Sequence, residues 1–354
     1  LTFLLVDYSC ALKLSSPATY LTAIKAASNQ GIVIKGSNSL DEYAQVDTFV
    51  FDKTGTLTTG VPKIQRIIAY EGYDDEEVLR IAACLEEHFY HPIATAVVKK
   101  AEDEGIEHEE MHGKLTHVAS KGIVSSIDGK RVVIGSLELL EDEKTIISNE
   151  QKAVIEEYSQ KYNLLYLSYD GKLIAIFLID TPLRGEAIAL LKELKEKGKQ
   201  IVLLTGDTQK RTETICSLIP FDRVYTQVKP EQKHQVIEQL QEEGHHVLMI
   251  GDGINDSAAL SLANVGIVMA GASDIARQAS DILFLNEQLT GLEVLENITE
   301  QLNRQLDANL KHTVGINSFL MGLGLIDIVS PSLLAVLHNV TTTFIIGKSL
   351  TYIQ

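Results

Sequence analysis

The chain is expected to be an α/β protein: a doubly wound parallel sheet with a second, α+β domain inserted into it. Three observations carry that expectation. Short apolar runs recur at Leu173–Ile179, Ile201–Leu204, Val224–Tyr225, Val247–Ile250, Val265–Ile267 and Ile282–Phe284. Helical stretches at Arg184–Lys197, Thr208–Leu218, Glu231–Glu243 and Asp256–Leu262 separate most of them, which is the alternation that builds a parallel sheet. Asp52, Asp207 and Asp252 each follow such a run, so their strands are expected to share one sheet with the acids at its carboxyl end, where open α/β sheets bind ligands.

The elements follow in order. Leu1–Val6 is apolar, with no charged leader and no cleavage site, and reads as a hydrophobic segment cut open rather than a signal peptide. Ser9, Cys10 and Pro17 interrupt the apolar character before a helix to Ala27. Gly31–Gly36 is a short strand, Ser39–Gln45 a short helix, and Phe49–Phe51 the strand that ends at Asp52. Residues 61–171 change pattern. A strand starts at Pro62, acids at Asp74–Glu77 open an amphipathic helix, and His91-Pro92 starts another. Asp128-Gly129 joins strands Val118–Ile127 and Arg131–Ile134 as a hairpin. The helix Gln151–Tyr162 and the strand Leu164–Ser168 complete this part. In the tail, apolar stretches Thr313–Ile326 and Leu333–Ile346 flank Asp327, Ser330 and Pro331, as in a helical hairpin.

Composition narrows the function. A net charge of −17 over 354 residues argues against a basic nucleic-acid surface, so no nucleic-acid partner is expected. An apolar fraction of 45% suffices for buried cores and does not by itself declare a membrane protein. Cys10, Cys84 and Cys216 are far apart and form no CxxC pair, so neither a disulfide framework nor a structural zinc site is indicated.

The chemistry gathers around Asp52-Lys53-Thr54-Gly55-Thr56-Leu57-Thr58. A carboxylate at a strand end can be a nucleophile, and Lys53 with the backbone N–H groups of the turn can hold a phosphate. Thr205-Gly206-Asp207 supplies a hydroxyl for a transferring phosphoryl group and a glycine for close approach. Gly251-Asp252-Gly253-Ile254-Asn255-Asp256 supplies carboxylates for Mg2+ beside Asp52, and Lys233 can neutralise charge there. No GxxxxGK[ST] loop is present, so a Walker-type NTPase is not supported.

This set, in this order, resembles the haloacid-dehalogenase superfamily. The Asp-Lys-Thr-Gly-Thr-Leu-Thr run resembles the phosphorylation motif of the P-type ATPases, and within them the heavy-metal-transporting group. The resemblance implies that Asp52 takes the γ-phosphate of Mg-ATP, with Lys53, Thr54, Thr205, Gly206, Asp207, Lys233, Asn255 and Asp256 catalytic and Asp52, Thr54 and Asp252 around Mg2+. Asp180-Thr181-Pro182-Leu183-Arg184 is similar to the pumps' hinge, implying Arg184 near nucleotide phosphates. Glu86 and His91 resemble that group's adenine-contacting pair. Gly122 and Gly135 resemble its nucleotide-loop glycines, although Ser120 and Ser136 depart from the pattern. The metal motif departs further: Ser9-Cys10-Ala11 stands where Cys-Pro-Cys is common. Cys10, His338 and Asn339 are the residues implied for a transported ion, with Asn317 and Asp327 nearby. One thiol among harder donors favours a divalent ion over Cu+.

The chain is thus expected to be the C-terminal half of such a pump, an ATP-driven metal-cation translocase. The expected divisions are 1–28 for a partial membrane helix and stalk, 29–60 and 172–298 for the phosphorylation domain, 61–171 for the nucleotide domain, and 299–354 for two membrane helices. The missing N-terminal half, with the actuator domain and earlier membrane helices, and membrane lipid are its implied partners. No Thr-Gly-Glu loop is found, so the fragment alone is not expected to transport. Two other readings stay open at this point: a soluble phosphatase of the same superfamily, although Thr54 stands where its second Asp usually lies, and a nucleotide-binding regulatory module without turnover.

Overall fold

The computed structural model describes residues 8–70, 72–107, 111–119, 121–326 and 328–351. Leu1–Val6, Ser120 and Asp327 lie outside these, as does the side chain of Cys10. The chain forms two compact units.

The first unit comprises Leu1–Asp52, Glu186–Leu204 and Pro220–Gln354. Its seven-stranded sheet runs in the order Ile32–Ile34, Ile282–Phe284, Val265–Val268, Val247–Gly251, Thr48–Asp52, Gln200–Leu204, Arg223–Tyr225. All pairings are parallel except the edge pair Ile32–Ile34 with Ile282–Phe284. Thr48–Asp52 and Val247–Gly251 are buried at every position, as strands covered on both faces must be. Val50, Val202 and Met249 pack under the helices Lys233–Glu242 and Ser257–Leu262 through Ile237, Leu240 and Leu260. From Thr48–Asp52 the sheet grows outward through Gln200–Leu204 to Arg223–Tyr225, and then the chain returns to the other side of Thr48–Asp52 as Val247–Gly251. Asp52 therefore ends a strand at the point where strand order reverses, the crevice in which such sheets bind ligands.

Three helices complete this unit: Tyr8–Asn29, Gly291–Leu325 and Pro331–Ser349. A buried polar chain ties them. Gln305 donates to Asn309 at 2.8 Å, and Asn309 donates to Ser349 Oγ at 2.8 Å and Thr19 Oγ1 at 3.4 Å. The expectation of two membrane-crossing helices in 299–354 is corrected: among the described residues no helix is both long and apolar enough to cross a membrane. The polar residues set along these helices, Gln305, Asn309, Asn317, His338, Asn339 and Lys348 among them, are the reason.

The second unit comprises Lys53–Gly185 and Thr205–Ile219. Its six strands are all antiparallel, in the order Lys63–Ala69, Lys172–Asp180, Asn163–Tyr169, Lys130–Gly135, Gly122–Ile127, Thr116–Val118. Helices Asp75–Glu86 and Pro92–Asp103 cover one face over Leu79, Ile134 and Phe177. Leu137–Asp142 and Asn149–Ser159 cover the other. The hairpin turn forms at Asp128 and Gly129, both with positive φ (50° and 76°), as a two-residue turn demands.

Lys172–Asp180 corrects the sequence reading. It was expected in the parallel sheet, with a domain boundary before residue 172, but it pairs antiparallel with Lys63–Ala69 and Asn163–Tyr169. Its seven consecutive buried residues from Leu173 to Ile179 are satisfied by helices on both faces of the antiparallel sheet, so the apolar run carries no mark of strand direction.

Candidate active site

The first unit gathers one ammonium and three carboxylates at the carboxyl end of its sheet. Lys233, on the first turn of its helix, donates at 2.6 Å to Asp52 and at 2.6 Å to Asp256. Oxygens of Asp52, Asp252 and Asp256 all lie within 4.8 Å of one another. Asp52, Lys233 and Asp256 are buried, and Asp252 is half-buried. Glycine makes the close packing feasible: a Cβ on Gly251 would meet Asp256 Oδ2 at 2.8 Å. The N–H of Gly253 donates back to that oxygen at 3.3 Å.

The charges do not balance. Burial raises the Asp52 carboxyl most, Asp256 raises it further, and Lys233 pulls it back, leaving it pushed up to about 7. Burial lowers the Lys233 ammonium, but the two carboxylates outweigh that and hold it above its ordinary value. A site with three acids and one lysine takes up a proton or a cation to settle its excess negative charge. A cluster of carboxylate oxygens suits Mg2+, and Asp52, Asp252 and Asp256 would hold it. The motif's two carboxylates, Asp252 and Asp256, both stand in the cluster with Asp52. Asn255 is exposed.

The remaining residues of the phosphorylation motif belong to the second unit. Lys53 pairs with Asp207 at 2.5 Å, and Thr205 Oγ1, buried, accepts from the Asp207 N–H at 3.1 Å. Thr54 is exposed and extended, and Gly55 turns the chain at φ 75°. The Arg184 guanidinium is buried and donates to the Thr56 carbonyl at 2.8 Å and the Gly55 carbonyl at 2.9 Å, so it shapes the turn after Asp52. Asp180 likewise turns inward, accepting from the Thr181 N–H at 2.8 Å.

The nucleotide residues do converge. Glu86, His91, Gly122 and Gly135 line one cavity of about 390 Å³, with Ile93, His117 and Leu164 among its walls. That volume lies in the range of small-molecule sites. Gly122 and Gly135 face each other across adjacent strands. A Cβ on Gly122 would come within 2.2 Å of the Ile134 carbonyl, and one on Gly135 within 2.2 Å of the Lys121 carbonyl. Only glycine fits either place. Ser136 caps the helix Leu137–Asp142 at the cavity wall.

His91 does two things. Its Nδ1 accepts from the Ala94 N–H at 3.2 Å as the cap of the helix Pro92–Asp103, and its ring lines the cavity. Burial and then His117 hold its imidazole below the ordinary range, so the ring is neutral. Glu86 is 2% exposed, and burial pushes it up to about 7. The His91 Nε2 is 3.3 Å from Glu86 Oε2, but that oxygen has no hydrogen-bond partner among the described residues.

Of the residues expected for a transported ion, His338 and Asn339 are described in full. His338 is buried, with Nδ1 at 3.2 Å from Asn317 Oδ1, whereas Asn339 is exposed. The Cys10 side chain and Asp327 lie outside the described residues. Sequence reading passed over the buried Gln305–Asn309 pair, whose polar side chains at helical spacing on an otherwise apolar face were the available signal.

Residues 46–264 match the model of the haloacid dehalogenase-like hydrolases, more than half of the chain. The chain belongs to the haloacid dehalogenase-like hydrolase family. Within this family it is 33% identical over 353 residues to the zinc-exporting P-type ATPase of Mycobacterium marinum, covering 99% of this chain and 48% of that protein. It is 32% identical over 353 residues to the manganese-exporting P-type ATPase of Mycobacterium bovis, covering 99% of this chain and 49% of that protein. The chain thus spans about half the length of the curated relatives it matches. A crystal structure of a zinc-transporting PIB-type ATPase superposes with TM-score 0.83 at 25% identity, covering 98% of this chain and 56% of that one.

Proposed function

We propose that this hydrolase-family chain is the catalytic half of an ATP-driven metal-cation pump of the P type, working through a phosphoenzyme at Asp52. The observation that carries the reading is the buried Asp52–Lys233–Asp256 group at the sheet's switch point. Asp52 attacks the γ-phosphorus of ATP, the bond to the bridging oxygen breaks, and ADP leaves with the electron pair. Lys233 keeps Asp52 oriented and offsets charge on the acyl phosphate. Mg2+ held by Asp52, Asp252 and Asp256 would neutralise the transferring phosphoryl group. The cavity lined by Glu86 and His91, with its neutral ring and apolar walls, suits an adenine base. Thr54, in place of a second acid two residues after Asp52, favours a phosphoenzyme that persists over one that is hydrolysed at once.

The cargo is a divalent transition-metal ion in this reading, since relatives named for zinc and manganese cover nearly all of the chain. The rest of the pump supplies the hydrolytic loop and further helices. Exposed apolar residues on the last two helices, including Phe319, Val336, Val340 and Phe344, would pack against those helices. The test is acid-stable, hydroxylamine-labile incorporation of radiolabelled γ-phosphate from ATP. It is expected in the parent chain and absent in Asp52→Asn. Undiminished acyl phosphate in Asp52→Asn refutes the assignment.

A further inference from the structure

The second unit holds a cluster of metal-ligating side chains that the phosphoryl-transfer reading does not use. We infer that Glu87, His88 and His112 form a binding site for a divalent transition-metal ion of the zinc class, distinct from the carboxylate cluster around Asp52. Each of the three offers one donor atom, a carboxylate oxygen or an imidazole nitrogen, within 4.8 Å of the other two. His88 Nε2 stands 3.2 Å from His112 Nε2 and 3.4 Å from Glu87 Oε1. In a tetrahedral site with metal–nitrogen bonds of ~2.0–2.1 Å, neighbouring ligand atoms are separated by ~3.3–3.4 Å. The two separations from His88 Nε2, 3.2 and 3.4 Å, lie close to the edge length of such a tetrahedron.

The tautomer of His112 is fixed in the sense a metal needs. Its Nδ1 lies 2.8 Å from the Gly113 carbonyl, and a carbonyl only accepts. Nδ1 therefore carries the proton, and Nε2 presents its lone pair toward His88 and Glu87. A ring N–H to a backbone carbonyl is the arrangement that orients ligating histidines in metal sites.

Both sides of the site are held before any metal arrives. His112 forms a bridge with Ile127 of the sheet, and the Gly113 N–H donates to the Ser126 carbonyl at 2.7 Å. The Met111 N–H reaches Cys84 Sγ at 3.4 Å, so the segment is also tied to the helix Asp75–Glu86. On the other side, the Glu87 N–H donates to the Ala83 carbonyl at 2.9 Å and continues that helix. Glu87 and His112 are half-buried and His88 is exposed, so an ion can reach the three donors from solvent. Imidazole and carboxylate donors suit zinc-class divalent ions and disfavour Cu+. The site shares a turn with the nucleotide cavity: Glu86 and His91 bracket Glu87 and His88, and Phe89 stacks on His117 of the cavity wall with ring centroids 5.3 Å apart.

The experiment is a titration of the whole chain, stripped by chelator, with Co2+ and Zn2+ in excess Mg2+ to occupy the carboxylate cluster. The parent is expected to bind one equivalent of Co2+ with visible ligand-field absorption and no thiolate charge-transfer band from that site. In His88→Ala and in His112→Ala this equivalent should be lost or weakened at least about tenfold, since even outer-shell partners of metal ligands contribute that much. Glu87→Gln should weaken it less. His88→Gln and His112→Gln serve if either alanine variant melts earlier than the parent in the absence of metal. Equal stoichiometry and affinity in parent and histidine variants, or absorption that includes the thiolate band and persists in them, overturns the site and leaves a histidine–histidine hydrogen bond. The readout is metal stoichiometry and spectrum, independent of ATP turnover.

Discussion

Replacing Lys233 by Met should destabilise the first unit strongly, and more at high pH than at low. Lys233 Nζ is 2.6 Å from both Asp52 and Asp256, and the three side chains are 8%, 8% and 2% exposed. Removing one partner of a buried pair costs about 3–5 kcal/mol, because the charge left behind is uncompensated. One ammonium here serves two carboxylates, so the upper part of that range applies. For a domain of roughly 200 residues, each kcal/mol moves the melting midpoint by about 2–4 °C, which gives a fall of about 10 °C or more. The pH dependence follows from Asp52. Its folded pKa, about 7, lies above its ordinary 3.8, so the fold holds the extra proton between these values. Stability therefore falls as pH rises through that window and levels off above it. Without Lys233 the window extends upward, and the variant should lose more at pH 8 than at pH 6. The shift of Lys233 itself is upward from 10.5, so its stabilisation is whole below that value and does not enter the comparison. Thermal unfolding of parent and variant at the two pH values, in chelator, is the assay. Asp52→Asn in the same chain should recover much of the loss. A midpoint within two or so degrees of the parent's at pH 8, or an equal loss at both pH values, would show that the two acids are not held as charges against Lys233.

Other perturbations separate roles that coincide in one residue. His91→Ala removes both a helix cap and a cavity wall, whereas His91→Asn retains a capping acceptor. Both should weaken binding of an ATP analogue by about 1–2 kcal/mol by calorimetry, but only the alanine should lower the melting point of the second unit. Gly135→Ala places a methyl 2.2 Å from the Lys121 carbonyl. It should destabilise that unit by about 3 kcal/mol or more in urea unfolding and abolish analogue binding; a variant as stable as the parent would refute the close approach. Arg184→Lys cannot reproduce the paired donation to Gly55 and Thr56 and should slow phosphoenzyme formation at saturating ATP without changing analogue affinity. Glu86→Gln should flatten the fall in the second unit's stability between pH 4.5 and about 7, because burial raises the folded pKa of Glu86 over that span.

What could be read from the sequence divides along physical lines. The Asp52 strand and its parallel neighbours were legible because strands covered on both faces must be continuously apolar, and their acids fall where the apolar run stops. The starts of the nucleotide-unit helices were legible from Asp74 and from His91-Pro92, since capping is local chemistry. Lys172–Asp180 was misassigned because an apolar run does not encode its partner's direction. The hold of Arg184 on the Gly55 turn was not legible, because nothing in the sequence says which backbone carbonyls of a distant turn need donors. Glu87, His88 and His112 were passed over because the histidines lie 24 positions apart in sequence with a helix between them, and only tertiary packing closes that gap to 3.2 Å. The tail helices were placed well in sequence but not in solvent preference, because residues such as Gln305, Asn309 and Asn317 are buried against protein while several apolar neighbours face outward.

The two buried acids, Asp52 and Glu86, show how one physical effect serves two ends. Both are raised to about 7, and in both burial is the largest cause. Asp52 has a cation at 2.6 Å and two further carboxylates close by, so its proton is the easiest thing for the site to exchange for positive charge. Any cation that enters among Asp52, Asp252 and Asp256 lowers the Asp52 pKa and leaves the carboxylate ionised, the form that attacks phosphorus. Glu86 shows no such cation among the described residues: the His91 ring stands 3.3 Å away, and burial and His117 keep it neutral. At neutral pH it stays at least partly protonated, and a carboxylic acid in an apolar cavity can both donate and accept a hydrogen bond. That pairing suits the edge of a purine, which offers an amino donor beside a ring-nitrogen acceptor. The same burial thus leaves one acid waiting for charge to become a nucleophile, and keeps the other neutral for recognition.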